Sequence, residues 1–420
     1  MEVSRRTLLT GAAAAALASS LKIHVVSAQE KVIRFSMPMD FTKIYTFVTA
    51  EYSQGQRDYI SLINGRGGIN GYKIAPDISD HGNDLPRAIE AFERAKSEGA
   101  VLIDPLSTPV ARALVPRALT DQINMVTAFS GRSDAADGTV FPYVFPLSPN
   151  YWTQAALLVD YFRQKDGDLK GKKICFVHID TPFGKEPLPI LEKLSQMLGY
   201  ELQTFPYTPP GNDQSAIWPQ VRRARPDWVV FWGAGVGQTV ALTEAIRNGL
   251  PMDRLSSSVW LSQSDMDVVG ADQAKGVLKF DPCVSGRSPK VIQDILEEVV
   301  KPGKGAGPED KVGTNYYNYG VMIASIIIEG VRKAFEIAPD GPITGPWLNA
   351  GLVSIKDFTA DGFIPPTTIT KEDHQGGGRG RISRWDGQNF VPETDWFSAY
   401  QDVVWEEIRK YSEEFAKTGK

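Results

Sequence analysis

The stretch Asn64-Gly65-Arg66-Gly67-Gly68-Ile69-Asn70-Gly71-Tyr72-Lys73-Ile74 decides the reading of this chain. Four glycines in seven residues do not belong inside a helix or strand, where each costs conformational entropy. An amphipathic run, Tyr45 to Ile63, precedes them, and Tyr72-Lys73-Ile74-Ala75-Pro76-Asp77-Ile78 follows with the composition of a strand. The spacing predicts a helix C-cap, a tight turn and a strand entry packed into one connection, as at the junction of an α/β unit.

Outward from that junction, strand-like and helix-like segments alternate. Val32–Met37, Ala100–Ile103 and Asn124–Thr127 read as strands, and Leu85–Glu98 and Val110–Gln122 as helices. Near-continuous apolar strands of this kind predict a parallel sheet covered on both faces. A second series follows Pro146-Leu147-Ser148-Pro149-Asn150. Its expected strands are Lys173–Ile179, Glu201–Tyr207, Trp228–Trp232 and Ser258–Leu261. Its expected helices are Tyr151–Arg163, Leu188–Leu198, Ile217–Ala224 and Gln238–Asn248. The proline-rich break near 149 reads as a crossing between two lobes, and Gly276–Phe280 followed by Asp281-Pro282 as a second. Helices Pro289–Val300 and Asn315–Phe335 are expected back on the first lobe, and the glycine-rich run 376–381 is expected to be mobile.

The 420 residues exceed what one core usually accommodates, which also predicts two lobes. Hydrophobic residues make up 42% and charged residues 23%, as in an ordinary globular protein. Net charge is −5 with no basic patch, which argues against a nucleic-acid partner. Residues 1–28 read as an export leader: Ser4-Arg5-Arg6-Thr7-Leu8-Leu9, an alanine-rich run, then Val26-Ser27-Ala28 at the cleavage positions. The paired arginines resemble the twin-arginine type. The apolar core is too short for a membrane anchor. Cleavage at Ala28 removes Glu2, Arg5, Arg6 and Lys22, leaves a net charge of −7, and predicts a periplasmic protein. Cys175 reads as a buried free thiol, with a disulfide to Cys283 as the alternative.

Four stretches carry a family resemblance. The opening junction is similar to the "N-x-x-G-G-I-N-G-x-K-I" of extracytoplasmic solute-binding proteins of the branched-chain amino-acid type. Phe141-Pro142-Tyr143-Val144-Phe145, Phe183-Gly184 and Arg225-Pro226-Asp227-Trp228-Val229-Val230 resemble the same family's "P-Y-x-F", "Y-G" and "x-P-D-V-V" segments. The resemblance implies two Rossmann-like lobes with parallel sheets, joined by three crossover hinge strands, the third near residue 360. Lobe I would comprise 29–148 and 282–360, and lobe II 149–281 and 361–420. It further implies a monomer that binds a small organic solute and works with ABC permease subunits in the membrane, without a cofactor or metal.

Ligands of open α/β sheets sit beyond the carboxyl ends of the strands. The loops that matter are therefore those ending at Tyr45 and those holding Ser107-Thr108, Ser130-Gly131-Arg132, Phe183, Gly235 and Trp260-Gln263. Hydroxyls and free N–H groups at Ser107-Thr108 suit a carboxylate, or a plain helix cap. The resemblance implies that this loop grips the ligand carboxylate, with Ser130 and Gly131 adding donors. Arg132 departs from the family pattern and is expected either to fork onto that carboxylate or to be a solvated or inter-lobe salt-bridge residue. Trp260-Leu261-Ser262-Gln263 places neutral groups where amino-acid binders of the family carry an acid, and Asp265 is expected to cap a helix. Gly233–Gly237 replaces an aromatic-bearing loop. Both departures point to a bulkier or non-amino ligand.

Enzymatic patterns are weak. Gly233–Gly237 is one residue short of a dinucleotide fingerprint, and neither G-x-S-x-G nor H-E-x-x-H occurs. Asp80-His81-Gly82-Asn83-Asp84 reads as a structural turn rather than a metal loop, and His178 as a core histidine. An exported hydrolase or lyase on the same architecture, and a ligand-sensing partner of a membrane receptor, are the rival readings.

Overall fold

The computed structural model describes residues 31–419, so the leader and its cleavage site lie outside the described residues. The first sheet contains β1 (Val32–Met39), β2 (Lys73–Asp80), β3 (Leu102–Ile103), β4 (Asn124–Val126) and β5 (Val144–Phe145) in the order β2-β1-β3-β4-β5, every pairing parallel. The second contains β6 (Lys173–Ile179), β7 (Glu201–Tyr207), β8 (Trp228–Trp232), β9 (Leu255–Ser257), β10 (Leu278–Asp281), β11 (Arg381–Trp385) and β12 (Phe390–Pro392). Its order is β12-β11-β10-β9-β8-β6-β7, parallel from β7 to β10 and antiparallel at β11 and β12. Each sheet with its helices forms one lobe.

The opening junction folds as its residues require. Helix Thr46–Gly65 ends with the Arg66 N–H on the Leu62 carbonyl and the Gly68 N–H on the Ile63 carbonyl. Gly68 has φ +79°, and a Cβ there would lie 2.0 Å from the Tyr72 carbonyl oxygen. Ile69 and Tyr72 exchange both backbone hydrogen bonds around Asn70 (φ 49°) and Gly71 (φ 76°), the positive-φ pair that a two-residue type I′ turn demands. The Asn64 side chain then takes both backbone groups of Ile74, accepting its N–H at 2.9 Å and donating to its carbonyl at 2.8 Å. The helix end and the strand entry are thereby locked together.

Helices Lys290–Ile295 and Asn315–Ile337 return to the first lobe and pack on helix Thr46–Gly65. At the main crossing a Cβ on Gly55 would lie 2.1 Å from the Tyr317 carbonyl, and one on Gly320 would lie 2.0 Å from the Tyr52 carbonyl. Two glycines thus let the backbones touch, and the rest of the Asn315–Ile337 helix is buried almost throughout.

Three segments cross between lobes, after β5, after β10 and before β11. The third lies beyond the expected residue 360. Residues 361–375, expected with the second lobe, bond to the first: Asp373 bridges Asp137, the His374 N–H donates to the Ala136 carbonyl, and the Ile369 N–H to the Ile355 carbonyl. The crossing is instead the glycine run, where Gly376, Gly377 and Gly378 all have positive φ. It runs beside the first crossing, since the Leu147 N–H reaches the His374 carbonyl and Thr153 Oγ1 reaches Gln375 Oε1. The C-terminal helix Gln401–Thr418 belongs to neither lobe alone. Lys193 of the second lobe pairs with Glu406, while Ser412 donates to Asp137 and Phe415 packs on Phe141, both of the first.

The strand expected at 258–261 is displaced to Leu255–Ser257, and residues 258–261 form a loop instead. Cys175 and Cys283 are both buried and free, so the disulfide alternative falls.

Candidate functional site

The carboxyl ends of both sheets face one cleft, and its first wall starts at β1. The Asp40 carboxylate accepts the N–H groups of Thr42, Lys43, Ile44 and Tyr45 at 2.7–3.2 Å, which pins the loop and fixes Tyr45 at the start of its helix. The Tyr45 phenol lies at the N-terminus of helix Thr108–Asp121. Burial pushes it up to about 12, against hydrogen bonding from the Thr108 N–H and from the Ser107 and Thr108 hydroxyls. Ser107 is the N-cap: its Oγ accepts the Val110 N–H at 3.4 Å and donates to Asn83 Oδ1 at 2.7 Å. Thr108 Oγ1 accepts the Gly131 N–H at 2.9 Å, tying two loops of this wall together. Gly131 sits in close quarters, since a Cβ there would lie 3.0 Å from Thr108 Cγ2 and 3.1 Å from Glu186 Oε2 and the two side chains would have to give.

Aromatic rings from both lobes meet above this wall. Trp260 of the second lobe takes Phe47 and Phe129 of the first edge-on, at centroid distances of 5.9 and 5.7 Å. Tyr151 takes Phe183 at 5.4 Å and Trp232 at 5.5 Å. Gly235 has φ 56° and ψ −135°, a conformation that favours glycine, and a Cβ there would press on the Phe47 ring at 3.2 Å. Polar bonds hold the contact: within the second lobe the Trp260 indole N–H donates to Tyr151 Oη at 2.7 Å, and across the lobes Tyr151 donates to the Phe129 carbonyl and Tyr316 donates to the Trp260 carbonyl at 2.6 Å. Beside them the buried Glu186 carboxylate of the second lobe accepts the Ser133 N–H at 2.8 Å and meets Arg112 at 3.3 Å.

A family model described as "Periplasmic binding protein" matches residues 33–389. The chain belongs to the periplasmic binding protein family. No curated protein matches it. Among solved structures it is similar to one described as an ABC transporter permease from the Pseudomonas fluorescens group, with 31% identity, coverage of 92% of this chain and 97% of the other, and a TM-score of 0.86. It shares the fold of a branched-chain amino-acid ABC transporter protein from Thermus thermophilus with bound valine, at 21% identity, 90% and 99% coverage and a TM-score of 0.77. It also shares the fold of a fatty-acid ABC transporter substrate-binding protein from Thermomonospora curvata, at 19% identity, 88% and 93% coverage and a TM-score of 0.72.

In this periplasmic binding protein the residues singled out from sequence divide into two groups. Tyr45, Ser107, Thr108, Gly131, Phe183, Gly235 and Trp260 come together at the cleft. Ser130 is buried beside Gly131, and its N–H is spent on the Thr127 carbonyl. Arg132 is placed elsewhere. Its guanidinium pairs with Asp134 at 3.1 Å and lies between the rings of Phe141 and Phe415, beside a crevice of about 340 Å³ under the C-terminal helix. Neither expected role holds, because the salt bridge is buried and made to Asp134 of the same lobe. Gln263 is exposed and donates to the Gln388 carbonyl at 3.3 Å, away from the rings. Asp265 caps helix Gln263–Val269 in a capping box with Ser262 and also accepts from Gln238; burial lifts its carboxyl to about 6.

Sequence reasoning passed over Phe47, Phe129, Tyr151, Tyr316 and Glu186. The available signal was aromatic density at helix starts, in Tyr45-Thr46-Phe47 and Tyr316-Tyr317-Asn318-Tyr319, where aliphatic residues would serve a core equally well. The three histidines among the described residues are held by the backbone. His81 Nε2 lies 3.0 Å from the Pro105 carbonyl, His178 Nδ1 3.0 Å from that of Ile179, and His374 Nδ1 2.9 Å from that of Val144.

Proposed function

We propose that this protein is the exported solute receptor of an ABC importer, and that it captures a small organic carboxylate between its lobes by hinge closure. The observation that carries the reading is the seam itself. Side chains carried by two separate sheets meet at the carboxyl ends of their strands and bond across the gap, as a ligand clamp requires. The N-terminus of helix Thr108–Asp121 at one edge, whose Thr108 N–H is held by the Tyr45 phenol, suits a carboxylate that takes the place of that phenol. Relatives of the same fold carry valine in one case and are described as fatty-acid binders in another, so the fold accommodates monocarboxylates of different bodies. The ligand-contacting set is Tyr45, Thr108 and Gly131 from the first lobe with Phe183, Gly235 and Trp260 from the second. The leader at 1–28 supports a periplasmic location, and the receptor acts as a monomer delivering solute to permease subunits.

Native mass spectrometry of protein freshly purified from the periplasmic fraction tests this. The expected result is a mature chain starting at Gln29 that carries one small organic acid, lost on mild activation. A chain that carries none, and that binds no carboxylate in a broad thermal-shift panel, would overturn the reading.

A further inference from the structure

Resting on the reading of hinge closure, we infer that Asp281 and Arg381 form a charge switch where two crossings leave the second sheet: they stand apart while the lobes meet and pair when the lobes separate. β10 ends at Asp281, β11 begins at Arg381, and the antiparallel register sets the two directly opposite each other. Side chains so placed share one face of the sheet with Cβ atoms about 5 Å apart, within an arginine's reach. Both are buried, Asp281 completely. Yet the Asp281 carboxylate is paired with Lys279 at 2.9 Å, through Oδ1. Among the described residues, Asp281 Oδ2 and Arg381 Nε each find no hydrogen-bond partner, and neither does the Ser383 hydroxyl on the same face. A buried carboxylate oxygen and a buried guanidinium N–H left bare side by side are strongly unfavourable unless another state of the molecule joins them.

The second observation is what holds them apart. Tyr319, on the first-lobe helix Asn315–Ile337, reaches across to the second lobe. Its hydroxyl accepts from Lys279 Nζ at 2.8 Å and lies 3.3 Å from Asp281 Oδ1 and 3.1 Å from the Val259 carbonyl. Its ring packs on Phe129 of the first lobe at 5.2 Å. This set of bonds exists only while the lobes meet. Arg381 is held by the second crossing: Nη2 donates to the Cys283 carbonyl at 3.4 Å, and the guanidinium lies over the Trp396 ring at 4.4 Å. A bond of that length is weak. Opening withdraws the Tyr319 hydroxyl from Asp281 and turns the backbone at Pro282-Cys283, which follows β10 directly. Asp281 then loses a donor and Arg381 its acceptor in one step, while Lys279 stays on Oδ1. The bare Oδ2 and Nε pair across the strands, and a charge-assisted pair is stronger than the long bond it replaces. The switch therefore stabilises the open form, so that closure requires the energy of a bound solute.

Pulsed dipolar spectroscopy on the solute-free protein, with nitroxides at Ser97 and Met197 as exposed sites on the two lobes, reads the closed and open components. The expected result is that Arg381→Gln raises the closed-to-open ratio about tenfold over the parent. Arg381→Met serves the same purpose should the first variant not fold. Arg381→Lys, which keeps a cation within reach of Asp281, should stay within about threefold of the parent. Tyr319→Phe, which removes a bond made only in the closed form, should move the populations toward the open one. A merely structural role for Arg381 in the form described here predicts the opposite sign for Arg381→Gln. An unchanged ratio in that variant, a shift toward the open component, or Arg381→Lys behaving like Arg381→Gln would overturn the switch and leave the receptor reading intact. One population shared by the parent and every variant would also overturn it, and the receptor reading would then be judged separately on the mass spectrum.

Discussion

Arg132 shows how a single side chain is assigned by its partners rather than by its loop. The loop it sits on borders the cleft, yet the guanidinium turns to Asp134 and to the faces of Phe141 and Phe415. Arg132→Ala would leave the Asp134 carboxylate, already lifted by burial, without its counter-charge. The expected outcome is a loss of about 3–5 kcal/mol in urea unfolding, with carboxylate affinity of the folded protein within about twofold of the parent. Asp104 gives a second test. It is buried under the cleft wall, receives the Tyr52 hydroxyl and the Gln56 amide at 2.8 Å each, and is lifted by burial from its ordinary 3.8 to about 6. Its folded value exceeds its unfolded one, so its contribution to stability is fully present below about pH 4 and lost as pH rises through about 6. That loss is roughly 3 kcal/mol. In unfolding measured across pH 4 to 7, Asp104→Asn should lose less stability than the parent by roughly that amount.

At the scale of elements, the junction 64–74 was legible because each of its demands is local. Gly68 has to sit against the Tyr72 carbonyl, and Asn70-Gly71 has to turn at positive φ. The glycine run at 376–380 carries the same residue type with a different outcome. Positive φ marks a bend in either case, and only the bonds of residues 361–375 to the first lobe show that this bend is a crossing. Val259-Trp260-Leu261 misled for a related reason. An apolar run reads as a strand, but here the Trp260 carbonyl is bonded by side chains of Tyr316 and Gln238 rather than by a neighbouring strand. The helix crossing at Gly55 and Gly320 was illegible, since it depends on two segments 265 residues apart meeting backbone to backbone. Gly55→Ala should force the helices apart and cost about 1–3 kcal/mol, read from the urea midpoint, whereas Gly65→Ala, which meets nothing within 4 Å, should not.

For the whole molecule, closure is a balance between contacts that form only when the lobes meet and the strain of three crossings and a shared C-terminal helix. The aromatic seam and Glu186 lie on the first side of that balance. Glu186→Ala removes the acceptor for the Ser133 N–H and the partner of Arg112. It should weaken apparent ligand affinity by about 1.5–3 kcal/mol, mainly through a faster off-rate in stopped-flow fluorescence, because the ligand must then supply more of the closure energy. The two sheets and their parallel strands up to β10 follow from strand and helix patterning within each lobe, whereas the antiparallel pair β11 and β12 does not. The seam depends on which rings face each other after the lobes close, and that information is spread over the entire chain.

The measurement that bears most directly on capture by closure is the distance between the lobes. Spin labels at Ser97 of the first lobe and Met197 of the second, both exposed, report it by pulsed dipolar spectroscopy. The account predicts a broad distribution without ligand that collapses to a single, narrower population when the solute found by mass spectrometry is added. An unchanged distribution under conditions where calorimetry shows that same solute to be bound would contradict it.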